Sequence, residues 1–233
     1  YSGYLAALVI CVPLFVSSIE AQDPTKTLPR SYQTVFENER AQVVHALYEP
    51  HQKLPVHDHS KDPTIYVYLS DSGPVRFSHI EEHAFTLDRP PVKMGGFRVS
   101  PGRIERHAVE NLGDIPSEFL RVELRGFPLG MQDFHYRGNH PFDLSRSSVK
   151  TEFSSQGISI ERIICVGSGA SKAITSGSPS LLIAFSTISV RTSSGSKRLE
   201  KGEVYWLDSN RTAGIETADS TTAHALRIIF SGD

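Results

Sequence analysis

Two stretches decide the fold: residues 56–69, VHDHSKDPTIYVYL, and residues 95–111, GGFRVSPGRIERHAVEN. His57 and His59 stand two apart at the start of the first stretch, where apolar residues alternate as in a strand. Side chains at i and i+2 of a strand face the same side, about 7 Å apart, so both imidazoles can reach one metal ion. In the second stretch, His107 opens another strand-like run after the turn signal Ser-Pro-Gly. His57 and His59 are therefore candidate ligands of one metal ion.

These spacings resemble the two motifs of the cupin family. The first family motif is His-x-His with an acidic residue shortly after it. The second motif reads Gly, Pro-x-Gly, His and Asn; Gly95, Pro101, His107 and Asn111 stand at or near those places, and the second glycine is not matched. Residues 106–126, RHAVENLGDIPSEFLRVELRG, are similar to small single-domain bacterial cupins of unassigned activity. The resemblance implies an all-β fold of double-stranded β-helix, or jelly-roll, barrels. It also implies one divalent transition metal (Fe, Mn, Zn, Ni or Cu) bound by His57, His59 and His107.

The acidic ligand of the family motif is missing from its usual place. It would fall at Pro63 or Thr64, and neither residue can act as an anionic ligand. Two alternatives follow. Asp62, three residues after His59, can swing in as a fourth ligand, or the site has only three histidines, as in the thiol-dioxygenase and diketone-dioxygenase branches of the cupins. A site without an anion keeps the full positive charge of the metal, which favours an anionic or enolisable substrate.

The second half of the chain repeats the first half without its histidines. Residues 179–185 align with residues 63–69, and the closing run 223–230 aligns with 118–124. In this alignment Ala173, Thr175 and Ala213 take the places of His57, His59 and His107. The same strands can therefore be built without histidine, so packing does not demand the three histidines of the first copy.

The repeat predicts two tandem barrels, an arrangement called a bicupin. We place the first barrel, with the metal site, at residues 34–126 and a degenerate second barrel at 151–233. Residues 127–150 are expected to link the barrels, and residues 22–33 to form a linker before the first one.

The N-terminus has the composition of a secretion signal. Residues 5–16, LAALVICVPLFV, are an uninterrupted apolar run that is short for a membrane span, and a cleavage site near Ala21 follows. Residues 1–21 are therefore predicted to be a signal peptide, which implies an extracytoplasmic location; a membrane anchor and a buried strand are the alternatives. Cys11 would leave with the signal, so Cys165 would be alone, as an inert thiol in an apolar run.

Composition limits the partners. The net charge is −2 and no basic block is present, so nucleic acid is not an expected partner, and neither is a membrane after signal cleavage. A small-molecule ligand and a homodimer paired through strand edges are expected. Strand alternation places one or two of four arginines in the barrel mouth, where they could bind a carboxylate; these are Arg98, Arg103, Arg106 and Arg121. The tyrosines Tyr66 and Tyr68 either line the pocket or pack in the core.

The other histidines are predicted to be packed or solvated rather than metal-bound. His79 and His83 lie in a polar stretch with two glutamates and are expected in solvent, and His224 is expected to be structural. His135 and His140 lie in the linker without a fixed spacing, which is weak support for a metal role.

Three functions fit the sequence. The first is a metal-dependent enzyme, an oxygenase using iron or a related metal or an isomerase-like cupin. The second is a non-catalytic extracytoplasmic protein that binds a small ligand. The third is a structural bicupin whose barrels mediate dimerisation. The fold alone does not choose among them, because cupins host many activities.

Overall fold

The computed structural model describes residues 23–81, 83–127, 137–138, 142–155, 157–218 and 221–231. Within these residues the chain consists of antiparallel strands and turns, with a single short helix, α1 (Pro24–Thr27). The all-β prediction is confirmed. Helix α1 and the start of the first strand lie within residues 22–33, the segment expected to be a linker.

The first ten strands form two sheets. The larger sheet contains β1 (Tyr32–Glu37), β2 (Ala41–Tyr48), β4 (Thr64–Tyr68), β7 (Phe97–Ser100), β9 (Ser117–Leu124) and β10 (Arg137–Gly138). Their spatial order is β1-β2-β9-β4-β7-β10. The smaller sheet contains β3 (Lys53–His59), β5 (Val75–His79), β6 (Phe85–Arg89) and β8 (Glu105–Asn111), in the order β3-β8-β5-β6. We call these two sheets the first unit.

The remaining strands form a second pair of sheets, the second unit. The larger sheet contains β11 (Ser148–Ser155), β12 (Ile158–Val166), β14 (Ser180–Ala184), β17 (Val204–Leu207) and β19 (Thr222–Phe230), in the order β11-β12-β19-β14-β17. The smaller sheet contains β13 (Ser171–Ser176), β15 (Ile188–Thr192), β16 (Gly195–Leu199) and β18 (Arg211–Thr217), in the order β13-β18-β15-β16. Adding ten to each label of the first unit, β10 aside, reproduces this order, so the predicted internal repeat is present in the strand topology.

The register of the repeat differs by one residue from the alignment made on sequence. In the second unit Ala213 pairs across the ladder with Ile174, not with Ala173. Ile174 is buried in the interior of the unit, whereas Ala173 and Thr175 are exposed. The prediction that Ala173 and Thr175 replace His57 and His59 is therefore wrong. The interior position is nevertheless apolar and not histidine, so the conclusion drawn from the comparison holds.

The length of the connection to the next strand explains the difference. Six residues separate His57 from Thr64 at the start of β4, whereas five separate Ile174 from Ser180 at the start of β14. An alignment anchored on residues 63–69 and 179–185 therefore places His57 over Ala173, one residue too early. The β-bulge of β3 between Leu54 and His57 precedes this position and does not contribute to the difference.

Three apolar cores hold the structure together. One lies inside the first unit and includes Val44, Tyr68 and Phe119. A second lies inside the second unit and includes Ile174. The third joins the two units, because Ile65, Val67 and Leu120 of the first unit belong to the same buried cluster as eight residues of the second; these are Ile158, Ile160, Leu181, Ile183, Phe185, Leu226, Ile228 and Phe230. Burial of apolar surface is the main stabilising term of such a contact.

This third core explains a feature that the sequence did not predict. The alternation in residues 64–69 indicates a half-buried strand, but all five residues of β4 are buried. Ile65 and Val67 face the second unit, while Tyr66 and Tyr68 face the interior of the first unit. Both faces of the strand are covered, as in a sheet packed on two sides.

Some predictions lie outside the described residues. The signal peptide at residues 1–21 is among them, as are His135, His140 and most of the segment 128–141. In the part of the chain that the structure describes, no helix has the length and apolar character needed to cross a membrane.

Candidate metal centre

The three predicted histidines converge inside the first unit. His57 and His59 lie on β3, and His107 lies opposite His57 on the neighbouring strand β8. Each histidine offers a ring nitrogen, and these three atoms all lie within 4.8 Å of one another. The ring centroids of His57 and His59 are 4.9 Å apart, and each lies 5.1 Å from that of His107. The i, i+2 spacing on one strand and a direct cross-strand pair produce this cluster, as the strand periodicity predicts.

His107 has no hydrogen-bond partner for either ring nitrogen among the described residues. The residue is 4% exposed, and its Nδ1 and Nε2 are both buried and unpaired. Most buried polar side-chain atoms in proteins have a partner, so this residue needs an explanation such as a bound ion. Burial lowers the pKa of His107 to about 3, and burial likewise lowers the pKa values of His57 and His59. The three rings are therefore neutral near pH 7, which is the form that binds metals.

The tautomer of His57 is set by a backbone carbonyl. Its Nδ1 lies 2.8 Å from the carbonyl oxygen of Pro55, which can only accept, so Nδ1 carries the proton. The lone pair is then on Nε2, which lies 2.8 Å from the hydroxyl of Tyr32. That hydroxyl is also 2.8 Å from the hydroxyl of Tyr48. An N–H donating to a carbonyl while the other nitrogen faces the site is the usual arrangement of a metal-binding histidine.

Tyr32 was not predicted as a site residue. It lies within the segment 22–33 that was expected to be a linker, yet it is 1% exposed and starts β1. Its ring also contacts His59, with centroids 5.5 Å apart. The contact of Tyr32 with the histidines depends on how β1 is placed against β3, which the sequence does not show. The only local signal for its burial is its position at the start of an alternating run.

The prediction that His79 lies in solvent is wrong. It is 3% exposed and pairs with His107 across the ladder between β5 and β8. Its Nδ1 donates to a carboxylate oxygen of Glu81 at 3.0 Å, and its Nε2 faces Arg103 Nη2 at 3.4 Å. Its ring nitrogens are thus engaged, and it does not belong to the three-histidine cluster. His83 is exposed, as predicted.

No carboxylate joins the cluster among the described residues. Asp62 accepts a hydrogen bond from Ser60 Oγ at 2.7 Å, and its role as a fourth ligand stays a prediction. Thr64 is buried and donates to the backbone carbonyl of Asp62. The cluster of described side chains is thus a set of three neutral imidazoles.

Glu105 is the nearby buried carboxylate, opposite His59 in the ladder. It accepts from Arg121 Nη1 at 2.8 Å and from the Tyr66 hydroxyl at 3.2 Å. Burial alone would raise its pKa, but the Arg121 guanidinium outweighs burial and lowers the pKa to about 2. Glu105 therefore stays ionised and balances the buried charge of Arg121. Sequence analysis did not identify it, although its position two residues before His107 puts both side chains on one face.

A cavity opens beside the cluster. The centre of a water-sized molecule can occupy about 40 Å³ of it, which is room for a few waters or a compact ligand. Two of the histidines, four tyrosines and four arginines contribute to its wall; these are His59, His107, Tyr32, Tyr48, Tyr66, Tyr68, Arg89, Arg98, Arg103 and Arg121. Three of the four arginines considered in the sequence, Arg98, Arg103 and Arg121, thus line the cavity, which is more than the one or two expected. Arg106 instead pairs with Asp58 at 3.2 Å and is not part of this wall.

The second unit has no comparable group among the described residues. His224 is 4% exposed and accepts from Arg162 Nη1 at 2.8 Å, which fits the structural role predicted for it. Cys165 is buried as a free thiol, and burial raises its pKa, as expected for an inert core cysteine.

Comparisons with known proteins find likeness in structure only. No protein-family model matches the sequence, and no curated protein matches it. AerE from Microcystis aeruginosa is 13% identical with a TM-score of 0.61, and the match covers 86% of this chain and 97% of that chain. Bacterial pirin YhhW from Escherichia coli, solved in complex with nickel(II), is 10% identical with a TM-score of 0.61, covering 87% of this chain and 92% of that chain.

A third similar structure is a cupin 2 conserved barrel domain protein from Leptotrichia buccalis. It is 11% identical with a TM-score of 0.50, and the match covers 85% of this chain and 88% of that chain. Identities this low establish the fold and not the activity. The likeness extends over both units, and the strand order repeats between them. The chain therefore has the cupin fold.

Proposed function

We propose that this protein binds one divalent transition metal through His57, His59 and His107 and acts as a metal-dependent oxygenase on a small organic substrate. The observation that carries the proposal is His107, whose two ring nitrogens are buried and unpaired beside two other neutral imidazoles. Leaving such atoms unpaired costs about 1–3 kcal/mol each, and a bound cation removes the cost for the ligating atom.

The donor set fits first-row metals. Neutral imidazole suits Fe, Ni, Cu and Zn, and the three rings come from two adjacent strands on one side of the cavity. Coordination positions on the other side would stay open for substrate, as a catalytic site needs. When bound, the metal would supply Lewis-acid or redox chemistry to a ligand in the cavity. The absence of a carboxylate from the described cluster supports the three-histidine alternative and its resemblance to the dioxygenase branches.

The residues of the chain have separate tasks in this proposal. Pro55 O fixes the tautomer of His57, so its Nε2 is ready to bind. The hydroxyl of Tyr32 would donate a hydrogen bond to a ligand beside the metal once Nε2 is occupied. Burial raises the pKa of Tyr32 well above its usual value, so the phenol keeps its proton. The buried pair of Arg121 and Glu105 holds the cavity wall in place.

A binding protein without turnover is the second candidate. The tightness of the cavity favours it: the centre of a water-sized molecule can occupy only about 40 Å³, so a bound compact ligand would leave little room for a co-substrate. Oxygen consumption with thiols, diketones or flavonoids separates the two functions. If none of these compounds causes uptake and the purified protein holds no iron, the oxygenase assignment is wrong and the binding function stands.

Metal analysis of the purified protein is the first test. We expect about one metal ion per chain in the wild type, and none in His57→Ala or His107→Ala, because two imidazoles do not hold a first-row metal tightly. His83→Ala is the matched control, since His83 is exposed and lies outside the cluster. Equal metal content in all four proteins would exclude this site.

The remaining predictions are kept as proposals. We propose that residues 1–21 are a signal peptide and that the mature protein is extracytoplasmic; fractionation with an N-terminal sequence beginning near residue 22 would support this. We also propose domain limits of 34–126 and 151–233, and a homodimer paired through strand edges. Sedimentation of the purified chain tests the dimer, and a purely monomeric protein contradicts it.

A further inference from the structure

The cavity beside the histidines carries an excess of positive charge. Two carboxylates compensate the arginines on one side of the wall: Glu105 binds Arg121 and Arg103, and Glu123 binds Arg121 at 2.7 Å. Arg89 and Arg98 also line the cavity, and neither has a carboxylate partner among the described residues.

Both of these arginines have an unused donor. The Nε atoms of Arg89 and Arg98 are buried and lack a hydrogen-bond partner among the described residues. A guanidinium presents five N–H groups in a fixed planar fork, so an arginine that lines the cavity without a carboxylate partner can offer paired donors to an acceptor there. An unpaired N–H on a buried cation is more costly than one on a neutral group, and the charge of a nearby anion would offset part of that cost.

Aromatic rings hold the two guanidinium groups in place. The Arg98 guanidinium lies over the ring of Tyr66, 4.3 Å from its centroid, and that of Arg89 lies 5.2 Å from the centroid of Tyr68. Tyr66 and Tyr68 are two apart on β4, so they share the cavity face. Arg89 is fixed further by hydrogen bonds from its Nη2 to two serine hydroxyls, at 2.9 and 3.0 Å. The donors are therefore positioned before any ligand arrives.

We propose that Arg98, assisted by Arg89, binds the carboxylate group of a small organic acid whose other end reaches the histidine cluster. This rests on the proposed function for the identity of that other end, but the arginine subsite itself does not need the metal. Because the centre of a water-sized molecule can occupy only about 40 Å³ of the cavity, the acid has to be a compact one. Arg98 is a binding residue in this scheme, and Arg89 both binds and holds the wall.

Calorimetric titration of the full chain with malonate and succinate tests the subsite, with malonamide as the uncharged analogue. Arg98→Gln removes the charge and shortens the side chain while keeping a polar end, and Arg98→Lys keeps the charge without the fork. Arg76→Gln is the matched control, because Arg76 lies on β5 but pairs with Asp88 on the surface. One of the two dicarboxylates should bind the wild type more tightly than the other. We expect Arg98→Gln to weaken the binding of that compound by about tenfold or more, Arg98→Lys to weaken it less, and Arg76→Gln to leave it unchanged.

The titrations are run on nickel(II)-loaded and on chelator-treated protein, with metal content measured on the same samples. Failure to bind metal counts against the proposed function, while Arg98-dependent binding of malonate to the metal-free chain would still support the subsite. Metal binding without carboxylate binding overturns the subsite alone. The inference is equally overturned if malonamide binds as tightly as malonate, or if Arg98→Gln and Arg76→Gln behave alike. Unchanged thermal unfolding of Arg98→Gln is the check that the variant is folded.

Discussion

Replacing Glu105 by Gln should destabilise the protein strongly at neutral pH. Its carboxylate accepts from Arg121 and Tyr66 in a buried position, and Arg121 is itself 3% exposed. The pKa of Glu105 is about 2, against an ordinary value of 4.5. This difference of about 2.5 pH units corresponds to about 3 kcal/mol of stability at neutral pH. Breaking one partner of a buried ion pair costs a similar amount, about 3–5 kcal/mol.

The pH dependence gives the sign of the effect. Because the pKa is lower in the folded protein, the contribution of Glu105 is fully present above about pH 4.5 and is lost as the pH falls towards 2. The stability difference between wild type and Glu105→Gln should therefore be about 3 kcal/mol at pH 7 and shrink steadily below pH 4.5. Comparing the two proteins at each pH cancels the titration of the other carboxylates.

Urea unfolding in the presence of a chelator measures this difference without a contribution from bound metal. Glu110→Gln is the control on the same strand, because Glu110 points outward and pairs with Lys53 at the surface. We expect that change to cost less than about 1 kcal/mol. If both variants lose the same stability, or if the loss in Glu105→Gln does not change between pH 7 and pH 3, the buried ion pair is not stabilising in the way described.

Three further predictions concern the second unit and its contact with the first. Burial opposes protonation of His224 and lowers its pKa in the folded protein to about 3, from an ordinary value of 6.5. The unfolded chain therefore binds a proton more readily than the folded one, so the free energy of unfolding should fall as the pH drops from about 6.5 to 3. His224→Gln should flatten that fall in urea titrations. Ile228→Ala should cost about 2–5 kcal/mol, since the residue is fully buried between the units, whereas Val35→Ala at an exposed site should cost little in the same assay. Gly95→Ala should lower the thermal midpoint more than Gly126→Ala: both have positive φ, but only at Gly95 would the new Cβ meet an aromatic side chain, at 2.9 Å. Equal midpoints for the two glycine variants would show that the close contact relaxes freely.

Local patterns in the sequence predicted the parts of the site that depend on one strand. The spacing of His57 and His59 fixes their shared face, and the turn before His107 fixes the start of the next strand. The unpredicted residues depend on long-range pairing. His79 is buried because β5 happens to pair with β8, and Tyr32 reaches the site because β1 folds back against it. Neither pairing can be predicted from the residues next to His79 or Tyr32 in the sequence.

The register of the repeat, meaning which residues of the two units are equivalent, could not be predicted exactly from the sequence. The strand order repeats between the two halves, and the alternation of apolar residues was enough to align them approximately. The connection from His57 to Thr64 is one residue longer than that from Ile174 to Ser180, so alignment by spacing assigned Ala173 where Ile174 faces inward. Whether β4 is covered on one face or on both depends on a partner surface more than a hundred residues away, such as Leu181.

The shared core between the units bears on how the protein can be produced and divided. A fragment that ends before the second half would leave Ile65, Val67 and Leu120 without their covering layer. This apolar surface would then be exposed to solvent, which favours self-association of the fragment. The second unit, which has no histidine cluster among its described residues, thus covers an apolar face of the unit that bears the cluster, and this structural role requires no chemistry of its own.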